Sequence, residues 1–260
     1  MVASSDNYMA VKYTTEIQKF KDVLKTETCF IAGTLVHTKE GLKPIEQIKV
    51  GDWVLSKPES GQGEQAYKRV TKTFEHWSSD LYLLSAYQPM GHDATENTPS
   101  ITRPHDNNLG VSTQWLVTTG EHPFYNNEEY NGLGWTTAGG LNYTNKIQLV
   151  DGSSSTVRVC EKIHKTSAPN IGYSPDREHD ASHGFLVDFS AYNFVVSKPS
   201  HMGAHRIDAS PIEFEFEGDD FAYYGSLVYN IEVEDFHTYY VGELGLWVHN
   251  KSMLLVGQGR

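Results

Sequence analysis

From residue 29 to residue 250, the chain consists mainly of short segments rich in β-branched and aromatic residues, separated by turn-forming residues. Such segments are typical of strands in an all-β domain. In "IEFEFEG", apolar Ile212, Phe214 and Phe216 alternate with glutamates, which predicts a strand with one buried face and one acidic face. The other segments of this kind are "TLVHT", "DWVLS", "LYLLSAY", "QWLVTT", "KIQLVDG", "TVRVCEKI", "FLVDF", "LVYNIEVE" and "TYYVGELGLWV".

A helical pattern precedes these strands at residues 14–25. In "TTEIQKFKDVLK", Ile17, Phe20 and Val23 recur at helical spacing, and a threonine at the start could cap the helix. We therefore expect an N-terminal flank, residues 1–28, that carries one short helix ahead of an all-β domain.

Two polar stretches interrupt the strand pattern. Residues 88–112 are poor in apolar residues and dense in Pro, Asn, Asp and Gly. Residues 165–211 begin and end similarly but carry "HGFLVDFSAYNFVV", which predicts a strand or two. Together they are too short for a second domain of ~100 residues, so we expect two insertions into one domain.

The chain also contains an internal repeat. "GLKPIEQIKVGDWVL", from Gly41, aligns with "GWTTAGGLNYTNKIQL", from Gly134, at an offset of 93 residues. In this alignment Ile48 is equivalent to Leu141. Each copy follows a strand and a residue that could take part in a reaction. The repeat predicts a pseudo-twofold domain built from two like halves.

Composition narrows the range of partners. The 260 residues carry a formal net charge of −12, which argues against nucleic-acid phosphates or an anionic membrane surface. No apolar run reaches the length of a membrane span, and no signal peptide is visible, so the location stays unknown. The histidine pairs at 179/183 and 201/205 are interpreted as loop residues, and no metal or cofactor is predicted.

Four segments could carry chemistry. Taken singly, each has a structural explanation, such as a buried cysteine, a turn or a core histidine. The segments are "TCFIAGT" with Cys29, "TTGEHPFY" with Thr119 and His122, "EDFHTYYVG" with His237, and "GLWVHN" with His249 and Asn250.

Taken together, these segments resemble a Hint domain, the fold shared by inteins, bacterial intein-like domains, Hedgehog autoprocessing domains and the pretoxin modules of polymorphic toxins. The matching blocks are "CFIAGTLVHTKEGLKPIEQIKVGDWVLS", "VTTGEHPFY" with "GLGWTTAGGL", and "VYNIEVEDFHTYYVGELGLWVHN", so the similarity spans residues 29–250. The resemblance implies an all-β horseshoe of two pseudo-twofold related halves. It also implies that Cys29 and Asn250 share one central cleft.

At Cys29, the resemblance implies an N-to-S acyl shift. Cys29 would attack the carbonyl of Thr28 and form a thioester. Thr119 would bond the same peptide and hold it distorted, and His122 would protonate the departing Cys29 nitrogen.

At the other end, the resemblance implies cyclisation of Asn250, whose side-chain amide attacks its own carbonyl and breaks the bond to Lys251. His249 would hydrogen-bond or protonate the departing Lys251 amine. His237 would polarise or deprotonate Asn250.

Splicing inteins usually have Cys, Ser or Thr after the final Asn, and this chain has Lys251 instead. Ligation of the flanks is therefore disfavoured, as in bacterial intein-like and pretoxin domains. We expect the substrates to be the chain's own flanks, with a C-terminal passenger, a toxin or other effector, that starts at Lys251. The His-Asn ending argues against a Hedgehog-type domain.

Two other functions stay open. The first is a chemically inactive Hint-fold module that serves as a structural or binding spacer. The second, a Cys-His hydrolase acting in trans, is disfavoured because the predicted helix precedes Cys29 instead of following it.

Overall fold

The computed structural model describes residues 28–89, 111–127, 134–176, 180–197, 200–201, 206–207 and 210–250. The helix predicted at residues 14–25 lies outside these ranges. So do the middle of the first predicted insertion and the predicted passenger from Lys251 onward.

The described residues form strands and two short 3₁₀ helices, Ile45–Gln47 and Ala138–Gly140. The strands are β1 (Phe30–Ile31), β2 (Leu35–Thr38), β3 (Gly41–Pro44), β4 (Trp53–Ser56), β5 (Ala66–Ser78), β6 (Leu81–Pro89), β7 (Val111–Thr119), β8 (Pro123–Asn126), β9 (Gly134–Thr137), β10 (Lys146–Gln148), β11 (Ser154–Lys162), β12 (His164–Lys165), β13 (Ile171–Asp176), β14 (Asp180–Asp188), β15 (Val195–Val196), β16 (Ser200–His201), β17 (Arg206–Ile207), β18 (Ser210–Pro211), β19 (Phe216–Glu217), β20 (Asp220–Phe221), β21 (Ser226–Val233), β22 (Thr238–Val241) and β23 (Leu246–His249).

The main sheet is antiparallel and closes on itself. Its order is β10-β11-β6-β7-β1-β21-β5-β4-β2-β22-β23-β8-β9, with β3 beside β2 and a further pairing between β10 and β8. That last pairing sets Ile147 opposite Asn126 and completes a ring of strands. Closure leaves few unpaired edges in the main sheet. The all-β prediction is confirmed.

The predicted internal repeat is also confirmed, down to its turns. The segment β3–3₁₀–β4 recurs as β9–3₁₀–β10 at the predicted offset, with β9 and the second 3₁₀ helix at the positions equivalent to β3 and the first. In the first copy Asp52 Oδ2 accepts the N–H of Lys49 at 2.9 Å. In the second copy Asn145 Oδ1 accepts the N–H of Asn142 at 2.7 Å. Equivalent side chains therefore close equivalent turns in the two halves.

The prediction of one continuous strand in "IEFEFEG" is wrong. Ile212 is buried, but Phe214 forms only an isolated bridge with Thr166, and Phe216 is 61% exposed in the short strand β19. Phe216 instead stacks on Phe221 of β20, at a centroid distance of 4.9 Å. A local hairpin thus replaces the buried face that the alternation predicts.

The second predicted insertion forms more structure than the one or two strands expected. Strands β12 to β16 build a separate small sheet, in which β14 pairs with β13, β15 and β16. Phe185 and Val187 from β14 belong to the same buried cluster as Cys29 and Val228 of the main sheet. The insertion therefore covers the side of the main sheet that holds Cys29.

The first predicted insertion begins and ends inside strands. Its outermost residues, at 88 and 89, continue β6, and those at 111 and 112 begin β7, where the register pairs Pro89 with Val111.

Within the described ranges, no helix has the length and apolar character needed to cross a membrane.

Candidate active site

The two ends of the described domain meet in one buried cleft. The hydroxyl of Thr28 lies 3.5 Å from the carbonyl oxygen of Asn250, across 222 residues of sequence, and donates toward it. Both residues are buried, at 0% and 4% exposure. Strand β1 starts directly after Cys29 and pairs with both β7 and β21, while β23 delivers Asn250 from between β22 and β8.

The peptide between Thr28 and Cys29 is held by threonines at the end of β7. The N–H of Cys29 donates to Thr119 Oγ1 at 2.8 Å. The carbonyl of Cys29 accepts the Thr119 N–H at 2.9 Å and the Thr118 hydroxyl at 3.0 Å. Thr119 thus bonds the nitrogen of the peptide that the resemblance marks as scissile.

The Cys29 thiol is shielded from solvent. Its side chain is fully buried, and burial raises the pKa of Cys29 well above its usual range. Cys29 Sγ lies 3.8 Å from Nδ1 of His76 on β5, and burial lowers the pKa of His76. A protonated thiol therefore faces a neutral imidazole that can accept its proton. The sequence analysis did not single out His76.

His122 sits at the bottom of the cleft on the turn between β7 and β8. Its ring contacts Phe30, with centroids 4.1 Å apart, and is fully buried. Burial and the charge of His249 lower the pKa of His122 to about 3, although the Thr28 carbonyl opposes the shift. Among the described residues, neither ring nitrogen reaches full hydrogen-bond geometry with a partner. The resting His122 is therefore a neutral imidazole.

The side-chain amide of Asn250 is buried in the same cleft. Within the described part of the chain, neither its Oδ1 nor its Nδ2 has a hydrogen-bond partner. The backbone N–H of Asn250, by contrast, donates to the carbonyl of His237 at 2.9 Å. The backbone of Asn250 is thus fixed, while its carboxamide keeps the freedom to turn toward its own carbonyl.

His237 contributes its backbone to the site. It occupies the turn between β21 and β22 with a φ of +57°, a left-handed conformation that is uncommon for a residue with a side chain. Its carbonyl reaches Asn250, whereas its ring Nδ1 is buried and has no hydrogen-bond partner in the described ranges. The structure thus brings together His237 and Asn250 through the main chain.

His249 is oriented by two neighbours. Its Nε2 lies 2.8 Å from Oε2 of Glu59, in the loop between β4 and β5. The ring of Trp135 from β9 meets the His249 ring in a T-shaped contact, with centroids 5.0 Å apart. The role of Glu59 was not predicted from the sequence.

Asn230 is the central residue that the sequence analysis missed. Its Nδ2 donates to Thr28 Oγ1 at 3.0 Å and to the Asn250 carbonyl at 3.2 Å. Its Oδ1 accepts the N–H of Ile231 and the hydroxyl of Tyr239, the latter at 2.9 Å. The available signal was a buried amide in "LVYNIEVE", a strand whose other buried positions are apolar.

No group of three or more His, Cys, Asp or Glu side chains in the described ranges is arranged to hold a metal ion. Of the histidine pairs considered from sequence, His179 and His205 lie outside the described residues. The interpretation of the other two as loop residues is wrong, because His183 lies in β14 and His201 in β16, where their backbones are in register.

The architecture of the described residues defines the class of fold. A repeated all-β architecture whose first and last residues share a buried cleft is what the resemblance to Hint domains implies, and the described chain has this architecture. By fold, the chain is a Hint-type domain.

Solved structures of inteins and of an intein-like domain are similar to the chain. The chain is similar to a bacterial intein-like domain from Clostridium thermocellum, with 22% identity, 85% of this chain and 97% of that chain covered, and a TM-score of 0.46. It is also similar to the gp41-1 intein, with 15% identity, 85% and 98% coverage, and a TM-score of 0.41. A DnaB intein from Synechocystis gives 10% identity, 85% and 97% coverage, and a TM-score of 0.39.

No protein-family model matches the chain, and no curated protein sequence matches it. Similarity at these levels of identity concerns the fold alone. The chemistry must therefore be inferred from the residues of this chain.

Proposed function

We propose that this chain is a self-cleaving Hint domain that acts once on its own backbone. The observation that carries the proposal is the shared hydrogen-bond network of Thr28, Asn230 and Asn250, which joins the two candidate scissile positions in one buried cleft. An inactive spacer module gives no reason for two positions so distant in sequence to share one buried hydrogen-bond network.

The first step is an acyl shift at Thr28–Cys29. The Cys29 thiol passes its proton to His76, and the sulfur attacks the Thr28 carbonyl carbon. The C–N bond breaks, the Cys29 nitrogen gains a proton, and Thr28 is left on Cys29 as a thioester. Thr119 restrains the nitrogen before it leaves.

His122 is well suited to deliver that proton. Its depressed pKa means that an imidazolium there is a strong acid, so a proton that this ring takes up in the tetrahedral intermediate passes readily to the Cys29 nitrogen. The shift consumes no net proton, because the proton that the thiol gives up through His76 balances the one that the nitrogen gains. Before the reaction, the neutral ring can donate a hydrogen bond to the Thr28 carbonyl. Both roles lower the energy of the tetrahedral intermediate.

The second step cleaves Asn250–Lys251. Asn250 Nδ2 attacks its own carbonyl carbon, which forms a five-membered succinimide and expels the Lys251 amine. Asn230 Nδ2 already donates to the carbonyl oxygen on which negative charge develops. His249 supplies a proton to the departing nitrogen, and the carbonyl of His237 holds the Asn250 backbone in place.

Lys251 carries no hydroxyl or thiol, so the thioester has no internal acceptor at that position. Water or an external thiol would resolve it, and the main outcome is release of the segment that begins at Lys251. We propose that this segment is the start of a passenger, a toxin or another effector. The substrates of the domain are its own flanking segments.

The test is to express the chain with a tag at each end and to follow fragment masses over time, with and without dithiothreitol. Asn250→Ala should abolish cleavage before Lys251. Cys29→Ala should abolish the thiol-induced cleavage after Thr28. Cys160→Ala is the matched control, because Cys160 is the other buried cysteine and its thiol bonds only the Ala138 carbonyl within the described ranges.

Two results would overturn the proposal. A wild-type chain that stays intact under all conditions would favour the spacer module. Cleavage of an added protein, with the chain itself intact, would favour a hydrolase acting in trans.

A further inference from the structure

A carboxylate lies against the imidazole of His249 at the C-terminal end of the site. Oε2 of Glu59 and Nε2 of His249 are 2.8 Å apart. The His249 side chain is 5% exposed, whereas that of Glu59 is 53% exposed. A partly solvated negative charge therefore touches a ring that is itself almost fully buried.

Trp135 fixes both members of this pair. Its Nε1–H donates to the backbone carbonyl of Glu59 at 3.0 Å, and its ring packs against that of His249. The Glu59 loop is thus attached to β9, and its carboxylate is presented to His249 by a defined contact. Many surface ion pairs contribute little because both partners move, and that reasoning does not apply here.

We propose that Glu59 is a positioning residue for C-terminal cleavage, whose carboxylate orients His249 and keeps its ring protonated for the departure of Lys251. This inference rests on the proposed function. It assigns a role to Glu59, which lies outside the sequence blocks that resemble Hint domains.

The proton balance of the step explains the need for this charge. The Asn250 Nδ2–C bond forms and the Asn250 C–Lys251 N bond breaks. Nδ2 releases a proton to solvent, and the Lys251 nitrogen gains one from the His249 imidazolium, which becomes neutral. A carboxylate on Nε2 favours the imidazolium before the step, and its exposure gives solvent a route to reprotonate the ring afterward.

Basic groups at this end of the site act in the opposite direction. His122, on the turn between β7 and β8, is close enough for mutual electrostatic repulsion between the two rings. The ammonium of Lys57, in the same loop as Glu59, lies 5.1 Å from the centre of the Trp247 ring. His237 adjoins the Asn250 backbone from the turn before β22. Glu59 is the contact that offsets these cationic or potentially cationic groups.

The experiment compares Glu59→Gln with the parent chain, both carrying Cys29→Ala so that only the C-terminal step is observed. Release of a C-terminal tag is timed between pH 5 and pH 9. Gln keeps an oxygen that can accept from Nε2 and removes the charge, so orientation is preserved. We expect the alkaline limb of the rate profile to move down by about one pH unit, with about tenfold slower release at pH 7.5.

A second readout does not depend on cleavage. In chains that carry Asn250→Ala, NMR titration of the His249 ring should show its midpoint about one pH unit lower with Glu59→Gln than without it. Glu64→Gln is the matched control, because Glu64 lies exposed in the same loop between β4 and β5. It should move neither the rate profile nor the titration.

The outcomes separate this inference from the proposed function. Superimposable profiles and equal midpoints for Glu59→Gln and the parent would overturn the role of Glu59. An equal loss of rate at every pH, with the midpoint unmoved, would also overturn it, because that result indicates only structural support. A parent chain that never cleaves would refute the proposed function, and the titration would still decide the effect of Glu59 on His249.

Discussion

Asn230 donates a hydrogen bond from its side-chain amide to the backbone carbonyl of Asn250, at 3.2 Å. The same nitrogen also reaches the Thr28 hydroxyl at 3.0 Å. One buried amide therefore contacts both candidate scissile positions. Its orientation is not free, because the Tyr239 hydroxyl holds its oxygen.

Replacement of Asn230 by Ala should slow cleavage before Lys251 by about 10²–10³-fold, because a preorganised donor to the developing oxyanion is lost. Tyr239→Phe should slow it less, by about tenfold, because the amide remains but loses the contact that orients it. Timed release of a C-terminal tag measures both effects. Thermal unfolding of each variant checks that the fold persists, and unchanged release in a folded Asn230→Ala chain would show that the donor is not used.

Replacement of Thr119 by Val should reduce thioester formation at Cys29 by about 10–100-fold, because the 2.8 Å bond to the Cys29 nitrogen disappears. Thr119→Ser keeps the hydroxyl and should retain most of the activity. The measurement is the amount of N-terminal fragment released by an added thiol. Thr118→Val is the comparison, since its hydroxyl bonds the Cys29 carbonyl and not the scissile nitrogen. Equal losses at the two positions would contradict a specific role for Thr119.

Cleavage after Thr28 should accelerate with pH throughout the range from 7 to 9. Burial raises the pKa of Cys29, so the thiolate is a minor species over this range. Because His76 relays the thiol proton to solvent, the thiolate fraction grows about tenfold for each pH unit. Hydroxylamine is a suitable trap for the thioester, because it is already neutral above pH 7. A rate that levels off near pH 8.5 would indicate a thiol with an ordinary pKa.

His122 should make the fold sensitive to acid. Its pKa falls from 6.5 in the unfolded chain to about 3 in the folded chain, so folding opposes its protonation. The penalty is absent above pH 6.5 and grows as the pH falls toward 3. Between pH 7 and pH 5, the parent chain should lose on the order of 2 kcal/mol more unfolding free energy than His122→Gln.

Urea unfolding at the two pH values, in chains that carry Asn250→Ala to prevent cleavage, measures this difference. The other histidines with lowered pKa values contribute equally to both chains and cancel. Parallel losses of stability in the two chains would mean that His122 is readily protonated in the folded state.

Replacement of Lys251 by Cys should increase the yield of ligated flanks, because it supplies the acceptor that the thioester lacks. Lys251→Ala is the control, since it removes the lysine without adding a nucleophile. Mass spectrometry of the joined flanks distinguishes ligation from two separate cleavages. Complete absence of ligated product from Lys251→Cys would show that another feature, besides the missing nucleophile, prevents transfer.

Much of the fold could be predicted because strands and turns are determined by residues close together in the sequence. Alternation with a period of two marks a strand wherever one face is buried, and the repeat reproduces its turns because Asp52 and Asn145 make the same local bond. "IEFEFEG" shows the limit of such patterns. A hairpin in which Phe216 stacks on Phe221 satisfies the same alternation without a buried sheet face.

The site was predicted less completely, because its contacts join strands distant in sequence. Thr119 could be placed through the Hint-like block that contains it. Asn230 lies inside a Hint-like block, but the resemblance assigned it no role, and His76 and Glu59 lie outside the blocks. Strand pairing brings His76 and Asn230 to the site, and the loop between β4 and β5 brings Glu59. The positive φ of His237 is equally invisible in the sequence, and it sets which part of that residue meets Asn250.

The strand that immediately precedes Asn250 has consequences beyond the reaction itself. Because β23 is hydrogen-bonded to β22 on one side and to β8 on the other, it does not need the chain beyond it to stay in place. Once the released segment diffuses away, the remaining body should keep its shape and carry a sealed, imide-ended terminus in its interior. Such a body would persist as an inert remnant instead of unfolding and becoming a target for proteases.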